Sequence, residues 1–119
     1  MTVKEIATKL AKYCEDEDYL SAQKTLYADD VESIEPEDNP GYDKETKGIK
    51  KVNEKIEKFT SSIEKSYGTK VSEPLIAGNS FTFKLDMDIK MKGQDRMTMS
   101  ELCVYTVKDE KIIKEEFFW

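Results

Sequence analysis

The chain has 119 residues, of which 38% are hydrophobic and 37% are charged, and its formal net charge at pH 7 is -6. This length suits a single hydrophobic core, so we expect residues 1–119 to form one domain. The acidic balance argues against binding of nucleic acid or of an anionic membrane, and the absence of histidine excludes imidazole metal sites and histidine-based catalysis.

Two short helices are predicted at the beginning of the chain. Thr2 and Glu5 have the spacing of a capping box. Apolar residues then recur at steps of three and four, which is typical of one helix face: Val3, Ile6, Ala7, Leu10, Ala11 and Cys14. The acidic residues 15–18 predict a turn, and the apolar pattern from Tyr19 to Tyr27 predicts the second helix.

The next segment predicts a strand, a loop and a third helix. Residues 31–36 (VESIEP) form a short strand that ends at a proline, and residues 37–47 have the Pro, Gly, Asn and Asp content of a loop. An apolar stripe from Ile49 to Tyr67 predicts a longer helix, with Gly68 as its C-terminal cap. Lysine and glutamate cover the other side, which we interpret as a solvated helix face.

From Val71 onward the hydrophobic period is two, which indicates strands. The predicted order is strand 81–91, turn 93–95, strand 96–107, turn 108–111 and strand 112–119. Short connections make these three strands an antiparallel meander. Helices followed by a curved antiparallel sheet, with the helices covering one face, give an α+β fold.

Glu101 stands in a row of apolar side chains on the middle strand of this meander. The residues on its face are Met97, Met99, Cys103 and Tyr105. Helices should cover this face because it is the more apolar one, and we expect Glu115 of the last strand on the same side. A buried, unpaired carboxylate is unfavourable. Either a water-accessible cavity lies under the sheet, or Glu101 pairs with Arg96 or a helix lysine beside an ordinary core.

Cysteine usage and hydropathy predict the compartment. Cys14 and Cys103 lie in apolar patterns and form no CxxC motif, so we expect free, packed thiols. No apolar run approaches the ~18 residues of a membrane span, and the first ten residues lack the apolar block of a signal peptide. We expect a cytoplasmic protein that does not enter a membrane. Asp86 and Asp88 alternate onto the strand face opposite Glu101, so we expect no metal site.

Several strings resemble the SnoaL-like branch of the nuclear transport factor two superfamily, whose fold is called cystatin-like. They are, in order, LYADDVESIEP, GIKKVNEKIEKF, PLIAGNSFTFKLDMDI and RMTMSELCVYTVKDEKIIKEEFF. The resemblance implies a cone, in which a curved antiparallel sheet wraps around a helical hairpin and a long helix and encloses an internal pocket. Members include polyketide cyclases, ketosteroid isomerases, dehydratases, hydrolases and inert scaffold domains, so the fold constrains function poorly.

The resemblance also implies roles for three residues. Glu35 lies over the proton-abstracting aspartate of the isomerases. Glu101 matches the face of the acid that donates to the oxyanion in those enzymes, and Cys103 is an equally good match in register. The usual histidine of the cyclases has no counterpart, because the chain contains none.

Three functions remain open at this point, and none of them requires a cofactor. The first is a pocket for a small hydrophobic or mixed-polarity ligand. The second is a carboxylate-based isomerase, cyclase or dehydratase for a small hydrophobic carbonyl compound, with Glu35 as base and Glu101 as donor. The third is a dimeric scaffold. The expected ligand-binding residues are Tyr27, Phe59, Met87, Met99, Glu101, Cys103, Tyr105, Glu115, Phe117 and Trp119. The expected homodimer contact, on the outer sheet face, consists of Leu102, Val104, Ile112 and Phe118.

Overall fold

A computed structural model describes residues 1–38 and 41–119 and has an α+β fold with a curved, unclosed sheet. The helices within these ranges are α1 (Val3–Glu15), α2 (Tyr19–Leu26) and α3 (Ile49–Ser61). The strands within the same ranges are β1 (Tyr27–Ile34), β2 (Glu45–Lys47), β3 (Ile63–Val71), β4 (Leu75–Ala77), β5 (Ser80–Met91), β6 (Arg96–Lys108) and β7 (Lys111–Phe118). Asn39 and Pro40, which fall in the predicted loop 37–47, lie outside the described residues.

The capping box at the start of α1 is confirmed. The Thr2 hydroxyl accepts a hydrogen bond from the Glu5 backbone N–H, and the Glu5 carboxylate accepts one from the Thr2 N–H, both at 3.1 Å. The predicted acidic turn is confirmed as well, because Asp16 ends α1 and Asp18 caps the beginning of α2. The buried residues of α1 are Ile6, Ala7, Leu10 and Cys14, which form the expected stripe.

The predicted third helix is wrong over its last turns. Helix α3 ends at Ser61, and residues 63–71 form β3, which pairs antiparallel with β5. The hydroxyls of residues 60–62 donate hydrogen bonds to the backbone carbonyls of Glu57 and Lys58 in the last turn of α3. Such side-chain hydrogen bonds compete with continuation of the helix. Tyr67 and Gly68 therefore lie in a strand. Pairing with a long neighbouring strand decides this segment, and helical spacing alone does not reveal such pairing.

The predicted meander of β5, β6 and β7 is confirmed. The sheet order is β2-β1-β7-β6-β5-β3, and β4 also pairs with β5. Strand β1 pairs parallel with β7, whereas the neighbouring pairings are antiparallel. Because β1 pairs with the last strand, it brings residues 27–35 next to the last residues of the chain.

A β-bulge in β7 changes which side chains face the helices. Thr106 pairs with Lys114, but Val107 pairs with Ile112, so Ile113 is the extra residue. Ile112 is fully buried, and the prediction that it lies on the outer face is wrong because the bulge reverses the alternation. Glu115 is also buried, which confirms the expectation that it faces inward.

The hydrophobic core lies between the helices and the concave sheet face. Cys103 and Tyr105 of β6 are buried there, whereas Leu102 is 51% exposed on the convex face, as the alternation predicts. Both cysteines are free and buried, as expected. In residues 1–38 and 41–119, no helix is long and apolar enough to cross a membrane.

Candidate functional site

A cavity of about 370 Å³ lies between the helices and the concave face of the sheet. All ten predicted ligand-binding residues line it, and so does Glu35. Among the described lining residues, Gln94 and Trp119 are exposed, so the cavity is open to solvent. The sheet therefore brings together side chains from both ends of the chain.

Much of the cavity wall is apolar and flexible. The wall includes Met87, Met91, Met97 and Met99 from β5 and β6, together with Phe59 and Phe117. Met87 and Met99 are directly paired across the two strands. Because unbranched thioethers adopt many shapes, this wall can adapt to the outline of a bound molecule.

A chain of hydrogen bonds satisfies Glu115 at the buried side of the cavity. The Tyr27 hydroxyl donates to Glu115 Oε1, and the Ser33 hydroxyl donates to Glu115 Oε2 at 2.6 Å. Lys55 Nζ in turn donates to Ser33 Oγ at 2.8 Å. Burial raises the pKa of Glu115, and the two hydroxyl donors oppose that rise.

Glu35 is held by two neighbours. Its Oε1 lies 2.8 Å from Lys55 Nζ, with both side chains only 14% exposed, and its Oε2 accepts a hydrogen bond from Trp119 Nε1 at 3.1 Å. The Glu35 backbone N–H donates to the Lys44 carbonyl at 2.8 Å, which fixes the end of β1. Each carboxylate oxygen thus has one partner and keeps a second lone pair that can accept a proton.

Glu101 is in a different position. The Cys103 thiol donates to Glu101 Oε1 at 3.7 Å, and within the described ranges no cation forms an ion pair with this carboxylate. Burial raises the pKa of Glu101 to about 7, and the nearby charge of Glu35 adds to that rise. The cavity therefore contains a half-buried carboxyl group whose hydrogen-bonding capacity is largely unused.

The structure does not contain the alternative ion pair, between Glu101 and Arg96 or a helix lysine. Arg96 instead donates to both carboxylate oxygens of Asp88, at 2.9 and 2.8 Å. Lys55 of α3, whose charge acts on Glu101, forms its ion pair with Glu35. Among the residues that the structure describes, no group of three or more Cys, Asp or Glu side chains is placed to hold a metal ion.

Sequence reasoning missed Lys55 and Ser33. The lysine and glutamate pattern predicts a solvated position for Lys55, but Val52, Lys55, Ile56 and Phe59 all line the cavity, with the spacing of one helix face. Ser33 of β1 lies two residues after Val31, which is buried, so alternation places it on the inner face. The sequence contains both signals, but it does not show which residues these two side chains contact.

The comparisons with known proteins agree with this architecture. A SnoaL-like polyketide cyclase candidate from Mesorhizobium loti, also named as a carbohydrate phosphatase, has a TM-score of 0.91 and 28% identity, with 100% of each chain covered. A protein of unknown function with a cystatin-like fold from Xanthomonas campestris has a TM-score of 0.82 at 14% identity, covering 99% of this chain and 90% of the other. No curated protein matches the chain.

A third solved structure is similar in fold. It is a hypothetical protein with a ketosteroid isomerase-like fold from Catenulispora acidiphila, in complex with trimethylamine, with a TM-score of 0.75 and 16% identity over 97% of this chain and 85% of the other. The profile of the SnoaL-like domain matches residues 1–119. This match spans the whole chain and agrees with the helices and the curved sheet described above. The chain thus belongs to the SnoaL-like domain family.

Proposed function

We propose that the protein binds a small, mainly apolar molecule in the cavity and that Glu101 is the polar anchor. The observation that carries this proposal is the half-buried Glu101 carboxyl, to which the described residues supply a thiol donor at 3.7 Å and no ion-pair partner, in a cavity whose walls are largely apolar. A volume of about 370 Å³ lies within the range of about 300–1,000 Å³ that is usual for small-ligand sites.

The other polar groups of the cavity support this assignment because they already satisfy one another. Glu115 is bound by Tyr27 and Ser33, and Glu35 by Lys55 and Trp119. A ligand gains little from groups whose hydrogen bonds it would first have to break. Glu101 is the carboxyl group that a ligand can reach without such a loss.

Adjacent phenylalanines on opposite sheet faces provide the test. Phe117 lines the cavity, whereas Phe118 is 47% exposed on the convex face. Compounds that raise the melting temperature in a broad screen should bind at least about tenfold more weakly to Phe117→Ala, because apolar contact is lost. The Phe118→Ala variant should bind them like the unmodified chain. Equal binding by both variants, or a screen in which no compound binds, would contradict the proposal.

A second candidate is acid–base catalysis on a small hydrophobic carbonyl compound. Two observations favour it: Glu35 and Glu101 line one cavity, and the Mesorhizobium loti protein bears the name of a polyketide cyclase candidate. Glu35 would remove a proton from carbon and Glu101 would donate a hydrogen bond to the enolate. No cofactor takes part in this scheme.

Hydrogen–deuterium exchange of model ketones tests the catalytic candidate. Both Glu35→Gln and Glu101→Gln should slow exchange at least about a hundredfold, the usual contribution of a positioned acid or base. Glu116→Gln, which removes a carboxylate on the other sheet face, is the matched control. Exchange that is unchanged in the first two variants would exclude catalysis by these carboxylates.

We also propose that two copies of the chain associate through the convex sheet face in the cytoplasm. Leu102 and Phe118 are 51% and 47% exposed there, next to Val104. Such a pair of large apolar side chains favours a self-complementary contact between two copies. The two buried free thiols are what a reducing compartment such as the cytoplasm favours.

A further inference from the structure

The proposed function leaves the charge of the ligand undefined, and the charges of the cavity bear on it. We propose, on the basis of that function, that the cavity takes an organic cation, namely an ammonium ion with apolar substituents, with the Glu101 carboxylate as counter-ion. The shape and apolar walls of the cavity suit the substituents, and the groups described below suit the charge.

Acidic groups outnumber basic groups among the described residues that line the cavity. Glu35, Glu101 and Glu115 line it, whereas Lys55 is the ammonium group among its described lining residues. Lys55 is already bound to Glu35 at 2.8 Å and to Ser33 at 2.8 Å. Above about pH 7 the Glu101 carboxylate is ionised and has no ion-pair partner among the described residues, so an anionic ligand would meet a like charge in a poorly solvated space, where repulsion is strong. A cation would bring the missing positive charge.

Aromatic rings and an amide oxygen add to this preference. Tyr19, Phe59, Phe117 and Trp119 line the cavity, and the face of an aromatic ring attracts ammonium groups. The Phe117 ring already lies 5.5 Å from Lys55 Nζ, so it is oriented toward positive charge. Gln23, a cavity residue that is 5% exposed, has an Oε1 atom that receives no hydrogen bond from the described residues. An unused buried acceptor favours a ligand that donates hydrogen bonds.

The protonation of Glu101 makes the proposal testable by pH. The titratable or charged groups around it are Cys14 of α1, Tyr19 of α2, Glu35 after β1, Lys55 of α3, Cys103 of β6 and Glu115 of β7. Burial raises the pKa of Glu101 to about 7. Below that pH the group must lose a proton before it can bind a cation, so affinity should fall roughly tenfold from pH 8 to pH 6. A neutral ligand that accepts a hydrogen bond from the protonated acid would show the opposite trend.

The experiment uses three probes of similar shape and different charge. They are benzyltrimethylammonium, its neutral isostere neopentylbenzene, and the anion phenylacetate. Trp119 is the sole tryptophan and lies at the cavity, so its fluorescence reports binding. At pH 8 the cation should bind the unmodified chain at least about tenfold more tightly than the isostere, which is the scale of a partly desolvated charge pair. Phenylacetate should bind more weakly than both.

Two variants assign the preference to Glu101. In Glu101→Gln the cation should lose its advantage over the isostere and its pH dependence, whereas Glu116→Gln should keep both. If the isostere binds as tightly as the cation, or if cation affinity rises toward pH 6, the charge inference is wrong while the binding function stands. If no probe binds at any pH, the binding function fails together with the inference. The pH series on the unmodified chain gives a result even if Glu101→Gln does not fold.

Discussion

At the scale of single residues, Glu35 and Glu101 show how neighbours differentiate two chemically equal groups. Glu35 shares its oxygens between Lys55 and Trp119. Glu101 faces the same cavity with a neutral thiol as its donor. Burial raises the pKa of the Cys103 thiol, so the sulfur keeps its proton and donates rather than repels. The cost of burying Glu101 is therefore largely uncompensated when the cavity is empty.

The stability of the protein should depend on pH through Glu101. Its pKa is raised from 4.5 to about 7 on folding, so between these pH values the folded state holds a proton that the unfolded state has lost. The stabilising contribution of this proton is fully present below about pH 4.5 and is lost as pH rises through about 7. Glu101→Gln should thus be more stable than the unmodified chain at pH 8, by roughly 3 kcal/mol at most.

Urea unfolding at pH 8 and at pH 4 measures this difference. The advantage of Glu101→Gln should be largest at pH 8 and close to zero at pH 4, because the carboxyl group is then protonated in both states. Glu116→Gln is the control for a change of net charge. An advantage of Glu101→Gln that is equal at both pH values would show that titration is not its cause.

At the scale of elements, the bulge in β7 decides which residues reach the cavity. Strict alternation places Ile112 and Glu115 on opposite faces, yet both are buried on the concave side. The extra residue, Ile113, absorbs the change of face between them. Within β7, the bulge thus places the Ile112 side chain in the core and the Glu115 carboxylate beside Tyr27 and Ser33 of β1.

Neighbouring isoleucines test the bulge. Ile112→Ala should lower the free energy of unfolding by about 3 kcal/mol, because it leaves a void in a close-packed region, and Ile113→Ala by about 1 kcal/mol. Chemical denaturation of both variants measures the two values. A larger loss for Ile113→Ala than for Ile112→Ala would mean that the strand follows plain alternation.

At the scale of the whole molecule, the curvature of the sheet gives its two faces different surroundings. The concave face, the helices and the end of β1 enclose the cavity. The convex face leaves Leu102 and Phe118 exposed between polar residues. The proposed binding and the proposed association therefore use separate faces of the sheet, so each can be tested without the other.

Light scattering at micromolar concentration tests the proposed dimer. The unmodified chain should have the mass of two copies, and Val104→Lys should shift it to one copy by placing a charge in the apolar contact. Thr98→Lys adds the same charge on the same face of β6, farther from the apolar residues, and should leave the dimer intact. A monomeric mass for the unmodified chain would refute the proposal.

Hydrophobic periodicity and the residues that cap helices or form turns were enough to predict much of the architecture from the sequence. The capping box at Thr2, the acidic turn at residues 15–18 and the meander from Phe81 onward follow from local rules, and the structure confirms them. The inward face of Glu101 follows from alternation alone. The family resemblance, which rests on the order of several strings, is confirmed over residues 1–119.

Contacts between distant segments determined the rest. Residues 63–71 became a strand because β5 was available to pair with them, and Ile112 turned inward because β7 bulges against β6. Trp119, a partner of Glu35, and Tyr27, a partner of Glu115, lie 84 and 88 residues away from them in the chain. Local sequence patterns indicate the secondary structure of a residue and the face on which it lies. Only the packed sheet determines which charged side chains come into contact, because pairing between distant strands sets the distances between them.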